Sequence, residues 1–117
     1  MRTRLLIVDD NPEFCRYASR LFEAEGYDVV GVVGNGELAF AVSDELAPEV
    51  VLLDVNLPDA SGFDLAARFA NERPDTAVLL TSTRGGAELE ELAISCGARG
   101  YVPKDQLSGA ELDRRLG

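Results

Sequence analysis

The chain has 117 residues, 46% of them hydrophobic and 27% charged, the balance of a single ordinary globular domain over residues 1–117. Its 21 acids against 11 bases, with no histidine, give a formal net charge of -10, so the positive field that nucleic acid or anionic lipid requires is missing. The few apolar residues between Met-Arg-Thr-Arg and Asp9 are too short for a signal-peptide core or a membrane span, which predicts a cytoplasmic protein that touches neither membrane nor nucleic acid directly.

Apolar strand-like runs alternate with helix-like stretches, and five βα units fit the pattern. Residues 4 to 9 form the first run. Asn11 then caps a helix whose first turn takes Pro12 and whose buried stripe is Phe14, Ala18, Leu21 and Phe22, stopped by Gly26. The second run, Asp28 to Val33, leads through Gly34-Asn35-Gly36 into a helix with Leu38, Val42 and Leu46 on one face, ended before Pro48. Val50 to Leu53 is the third run. A loop from Val55 to Ser61 follows, then a helix carrying Leu65, Ala66 and Phe69 that must end by Pro74. Ala77 to Thr81 is the fourth run, and Arg84-Gly85-Gly86 turns the chain into a helix with Leu89, Leu92 and Ala93 inside, closed by Gly97. Gly100 to Val102 is the fifth. Pro103 cannot donate a ladder hydrogen bond, so this strand belongs at a sheet edge or ends there. Ser108-x-x-Glu111 fits a capping box for a short last helix with Leu112 and Leu116 inward. Cys15 and Cys96 lie far apart, without Cys-x-x-Cys spacing, and are expected as reduced, partly buried thiols.

Strands alternating with helices imply right-handed parallel crossovers and a sheet covered on both faces. Parallel strands open on one edge, where open α/β folds place their ligands, so Asp9-Asp10 after the first run and Asp54 after the third would share a crevice. Acids also end strands because strands end at the surface, which would suffice for Asp54 alone but not for three acids in matching positions. Carboxylates packed that closely raise one another's pKa unless a cation sits among them, which predicts a hard divalent metal, Mg²⁺ first. Gly31, Gly34 and Gly36 make no Gly-x-Gly-x-x-Gly fingerprint, and no Gly-Lys-Ser/Thr element exists, so dinucleotide and phosphate-loop sites are excluded.

Four segments, Val8-Asp9-Asp10-Asn11, Leu53-Asp54-Val55-Asn56-Leu57-Pro58-Asp59-Ala60-Ser61-Gly62, Leu80-Thr81-Ser82 and Gly97-Ala98-Arg99-Gly100-Tyr101-Val102-Pro103-Lys104, together resemble the receiver domain of two-component response regulators. The resemblance covers essentially the whole chain. It implies a flavodoxin-like, doubly wound five-stranded parallel sheet in the order 2-1-3-4-5. It implies that Asp54 is the phosphoacceptor, a carboxylate nucleophile that needs charge neutralisation and alignment rather than a general base. Asp10 would then hold Mg²⁺ directly and Asp9 through water, with Asp54 and the backbone carbonyl of Asn56 completing the protein's share. Lys104 would set its ammonium against a phosphoryl oxygen and Asp54, Thr81 would offer a hydroxyl, and Tyr101 would swing inward as that hydroxyl moves. The implied function is a phosphorelay switch served by a histidine kinase or phosphotransfer protein. Its output would be a downstream protein that reads the surface of the fourth helix, fifth strand and fifth helix, with the chain a monomer or a phosphorylation-dependent dimer.

Two departures from the family stand out. Many receivers carry proline directly after the lysine, whereas here Pro103 precedes Lys104 and Asp105 follows it. The last helix runs to Gly117 with no output domain begun, which fits either a stand-alone receiver, the expected case, or a receiver cut from a longer regulator.

Three other readings compete. An aspartyl-phosphate phosphatase would carry Asp-x-Asp after the first strand, with the nucleophile there, and a cap domain. A flavin binder would need a Ser/Thr/Gly-rich phosphate loop where Asp9-Asp10-Asn11-Pro12 stands. A receiver-like module that is never phosphorylated would act by binding alone. Asn56 and Thr83 fall where the access of attacking water can be tuned. Enlarging or charging Thr83 is expected to change dephosphorylation more than phosphorylation, followed as gain and loss of phosphoryl mass; equal effects on both rates would count against it.

Overall fold

Near-continuous apolar runs are stable as strands only when both faces of the sheet are covered, and that is how they are used. In a computed structural model, which describes residues 2–117, five strands alternate with five α-helices. They are β1 (Thr3–Val8), α1 (Pro12–Ala24), β2 (Tyr27–Val33), α2 (Gly36–Leu46), β3 (Val50–Asp54), α3 (Gly62–Glu72), β4 (Ala77–Ser82), α4 (Ala87–Ser95), β5 (Gly100–Pro103) and α5 (Gly109–Leu116), with a 3₁₀ turn at Lys104–Gln106. All strand pairs are parallel and the order is β2-β1-β3-β4-β5, the doubly wound order that the resemblance implies. Pro103 sits at the end of edge strand β5. Among the described residues no helix is long and apolar enough to cross a membrane.

Alternation along each strand divides the core in two. Leu6, Val8, Val51, Leu53, Val78 and Leu80 face one side, where they pack with Phe40 of α2, Phe69 of α3 and Ala93 of α4. Leu5, Ile7, Val50, Leu52 and Leu79 face the other, against Ala18 and Phe22 of α1 and Leu112 of α5. Each fully buried aliphatic side chain of this kind contributes roughly 1.5–3 kcal/mol.

The helix starts follow the sequence signals. Asn11 Oδ1 accepts from the Glu13 and Phe14 amides at 3.0 and 3.2 Å, with Pro12 at the first helical position. Ser61 caps α3 and Ser108 caps α5 through side-chain oxygens. Only half of the predicted capping box forms, because Glu111 turns its carboxylate to Arg114 and Arg115.

Two helix faces differ from expectation. In α2 the buried residues are Gly36, Ala39, Phe40 and Ser43, while Leu38 is 47% exposed. In α4, Ala93 is buried and Leu89 partly so, but Leu92 is 49% exposed. Both helices carry apolar residues on more than one face, so periodicity admitted neighbouring stripes and packing chose between them. Strand ends also run one residue beyond the apolar runs at Asp54, Ser82 and Pro103, because pairing with a neighbour, not hydropathy, ends a strand.

The loop from β3 to α3 is held tightly. Asn56 and Ser61 form an antiparallel bridge, and the Gly62 amide donates to the Val55 carbonyl at 2.7 Å. A Cβ on Gly62 would lie 2.5 Å from the Asp54 carbonyl oxygen and 2.7 Å from Val55 Cα, both backbone atoms that cannot step aside. Gly62→Ala is therefore expected to lower stability by about 1–3 kcal/mol, as overpacked sites do. Urea unfolding measures it, and a variant as stable as wild type would show that the loop yields.

Candidate functional site

Register builds the site. Val8 pairs with Leu53, so Asp9, the residue after β1, and Asp54, the last of β3, emerge side by side at the C-terminal edge of the sheet. Asp54 pairs in turn with Thr81, and Thr81 with Val102. Asp9, Asp10 and Asp54 each present one carboxylate oxygen within 4.8 Å of the others, Asp9 and Asp54 buried and Asp10 exposed.

Lys104 arrives from the far edge of the sheet, in the 3₁₀ turn after β5. Its ammonium lies 2.6 Å from Asp9 Oδ2 and 3.9 Å from Asp54 Oδ2, so its closer partner is Asp9. The other Asp9 oxygen accepts the Asn11 amide at 2.9 Å, while buried Oδ2, among the described residues, takes no hydrogen bond of ordinary geometry and faces the ammonium. Asp54 Oδ1 receives a long contact from the Asn56 amide at 3.4 Å. Burial pushes the Asp54 carboxyl up to about 6; the Asp9 carboxylate pushes the same way, and Lys104 and the Asn56 amide oppose it.

These residues suit a hard divalent cation. Every donor is oxygen, two of the three carboxylates are desolvated with too little positive charge beside them, and exposed Asp10 leaves the crevice open to the waters that Mg²⁺ retains.

Thr81 and Tyr101 stand behind this cluster. The buried Thr81 hydroxyl donates to the Val102 carbonyl at 2.6 Å and so points along the sheet toward β5. Tyr101 is 2% exposed, and its hydroxyl donates to the Arg84 carbonyl in the β4–α4 connection. Asn56 is exposed at the rim of the crevice, on the loop closed by Ser61.

Two contributors were not singled out for the site by sequence. Phe14, expected only as core, stands with its ring centroid 4.2 Å from the Lys104 ammonium. Asp59, beyond the end of β3, accepts the Gly36 amide at 2.8 Å and the Glu37 amide at 3.0 Å. With Asn35 taking the Leu38 amide, it satisfies the first turn of α2 and pins the β3–α3 loop to that helix. Neither contact has a signal in local spacing, since each joins elements far apart in the chain.

The model of the response regulator receiver domain family matches residues 5–116. The DNA-binding response regulator MtrA of Mycolicibacterium smegmatis is 34% identical over 104 residues, covering 89% of this chain and 45% of that protein. The transcriptional regulatory protein YdfI of Bacillus subtilis is 33% identical over 106 residues, covering 90% and 49%. The chain thus spans about half the length of the curated relatives it matches. Among solved structures, the signal receiver domain of NarL from Mycobacterium tuberculosis superposes with a TM-score of 0.86 at 30% identity, covering 99% of this chain and 98% of that one. A two-component response regulator of the LuxR family from Aurantimonas sp. SI85-9A1 gives 0.86 at 28%, covering 97% and 81%.

The raised Asp54 carboxyl makes stability depend on pH. A folded-state value of about 6, above the ordinary value of roughly 4, means that its contribution is complete below the lower value and lost as pH rises through the higher. Without divalent cations, Asp54→Asn is therefore expected to be about 1–3 kcal/mol more stable than wild type near neutral pH, the two converging near pH 4. Urea unfolding at both pH values checks this, and equal stabilities at neutral pH would contradict it.

Proposed function

The chain belongs to the response regulator receiver domain family, and we propose that it is a phosphorelay switch which accepts a phosphoryl group on Asp54. The observation that carries this reading is a desolvated carboxylate, Asp54, set beside the acids Asp9 and Asp10 and a lysine ammonium at the open edge of a parallel sheet. A carboxylate so placed is ionised or nearly so at neutral pH and short of counter-charge, which suits a nucleophile that attacks a phosphorus atom.

In the proposed reaction an Asp54 oxygen forms a P–O bond as the P–N bond of a phosphohistidine donor breaks. The bonding pair leaves on the imidazole nitrogen, which then takes a proton. Asp9, Asp10, Asp54 and the Asn56 carbonyl would hold Mg²⁺, which when bound neutralises charge on the phosphoryl oxygens. Lys104, already between the two buried carboxylates, would pass from Asp9 toward a phosphoryl oxygen. Little covalent work remains for the protein, since phosphoryl transfer rests on alignment and electrostatics.

Thr81 and Tyr101 would carry the signal outward. The new acceptor oxygens would compete with the Val102 carbonyl for the Thr81 hydroxyl, and β5 would lose a contact to β4. Tyr101 lies next to Val102 on that strand and is bonded to Arg84, so the β4–α4 connection would move with it. A partner protein must then prefer one arrangement of α4, β5 and α5, because a ligand shifts an equilibrium only by its differential affinity. A histidine kinase or phosphotransfer protein upstream and one protein partner downstream complete the proposal.

Intact-protein mass after incubation with a small phosphodonor is the direct test. Wild type is expected to gain one phosphoryl group with Mg²⁺ and little without it, and Asp54→Asn none. No gain under any condition would leave a module that acts by binding alone.

A further inference from the structure

Lysine carries a point charge on a flexible stem, and holding that charge in place costs side-chain entropy that a further attractive contact can offset. Lys104 has such a contact on α1. The Phe14 ring lies 4.2 Å from its ammonium, within the range in which an aromatic face attracts a cation. The ring is itself anchored, being partly buried against the core cluster that contains Cys15, Ala18 and Phe22.

The start of α1 is tied to the site by a short series of bonds. Asp9 Oδ1 accepts the Asn11 amide at 2.9 Å, and Asn11 Oδ1 accepts the Phe14 amide at 3.2 Å. The carboxylate that meets Lys104 at 2.6 Å therefore also sets the turn that presents the ring to it.

We propose that Phe14 is a positioning residue for phosphoryl transfer, its ring holding the Lys104 ammonium beside Asp9 and Asp54 without consuming any of its N–H donors. A carboxylate or carbonyl in the same place would take a donor that the phosphoryl group needs. An aromatic face attracts the charge and leaves all three donors free to turn toward oxygen. Without the ring, Lys104 keeps its attraction to Asp9 but samples more rotamers, and fewer of them place it on an incoming phosphoryl oxygen. This inference rests on the proposed phosphoacceptor role of Asp54.

The test compares wild type, Phe14→Leu and Phe14→Tyr in two measurements. Proton NMR reads the Lys104 ε-methylene signals, expected upfield from ring current in wild type and Phe14→Tyr and at ordinary positions in Phe14→Leu. Phosphorylation by a small phosphodonor at saturating Mg²⁺, followed by intact mass, is expected to slow between about twofold and tenfold in Phe14→Leu and to return close to wild type in Phe14→Tyr, the range a partly buried cation–π contact supports. Leucine preserves apolar bulk, so a loss from core packing alone would accompany a lower melting temperature, whereas loss of the ring contact slows phosphorylation and moves the Lys104 signals at an unchanged one. A Phe14→Leu rate equal to wild type, or equal losses in both variants, would overturn the role of Phe14 while leaving Asp54 as phosphoacceptor. A wild type with the ring-current shift but no phosphoryl uptake would overturn both.

Discussion

Two carboxylates, Asp9 and Asp54, are buried side by side at the ends of adjacent parallel strands, and the rest of the site is arranged around that electrostatic cost. Burial disfavours the ionised form, and the neighbouring Asp9 carboxylate adds to it, which is why Asp54 is held up to about 6. Lys104 offsets part of the repulsion, but it lies nearer Asp9 than Asp54, so Asp54 remains the group short of positive charge. That imbalance separates the roles of chemically equal residues. Asp9 meets the lysine and accepts the Asn11 amide, which under the proposed function leaves Asp54 as the carboxylate to be phosphorylated.

Maintaining such a cluster requires stiff surroundings. Gly62 lets the chain after β3 fold back against the Asp54 carbonyl, and Asp59 fastens the same loop to α2 by accepting two amides. Asn11 and Pro12 start α1 directly behind Asp9, and the turn they fix delivers Phe14 to Lys104. Tight turns on two sides of the crevice thus limit how far either carboxylate can relax from the other.

Toward β5, side-chain contacts add to the backbone ladder with β4. One hydroxyl joins Thr81 to Val102, and one phenol joins Tyr101 to Arg84. Glu90 of α4 accepts the Tyr101 amide at 3.1 Å and lies 3.5 Å from Arg115 of α5, so α4 and α5 are linked across edge strand β5 by one carboxylate. Gly86, which precedes α4, has φ of 130° and offers no side-chain cap. Under the proposed function, a helix begun so loosely beside an edge strand is where a change in charge at Asp54 would be converted into a change of surface.

Much of this was legible in the chain. Alternating apolar runs and capped helices determined five βα units, because burial on two faces and the satisfaction of helix ends are local demands that leave marks in composition. The acids at the ends of β1 and β3 were legible for the same reason, since parallel strands open on one edge. The strand order came from the resemblance to receiver domains, not from spacing. Tertiary structure decided what depends on pairs far apart in sequence. It chose which stripe of α2 and α4 faces inward, leaving Leu38 and Leu92 exposed, because both helices have more apolar residues than one face can hold. It also set Lys104 on Asp9 and under Phe14, since an ammonium settles where charge and ring happen to converge, and no spacing along the chain records that convergence.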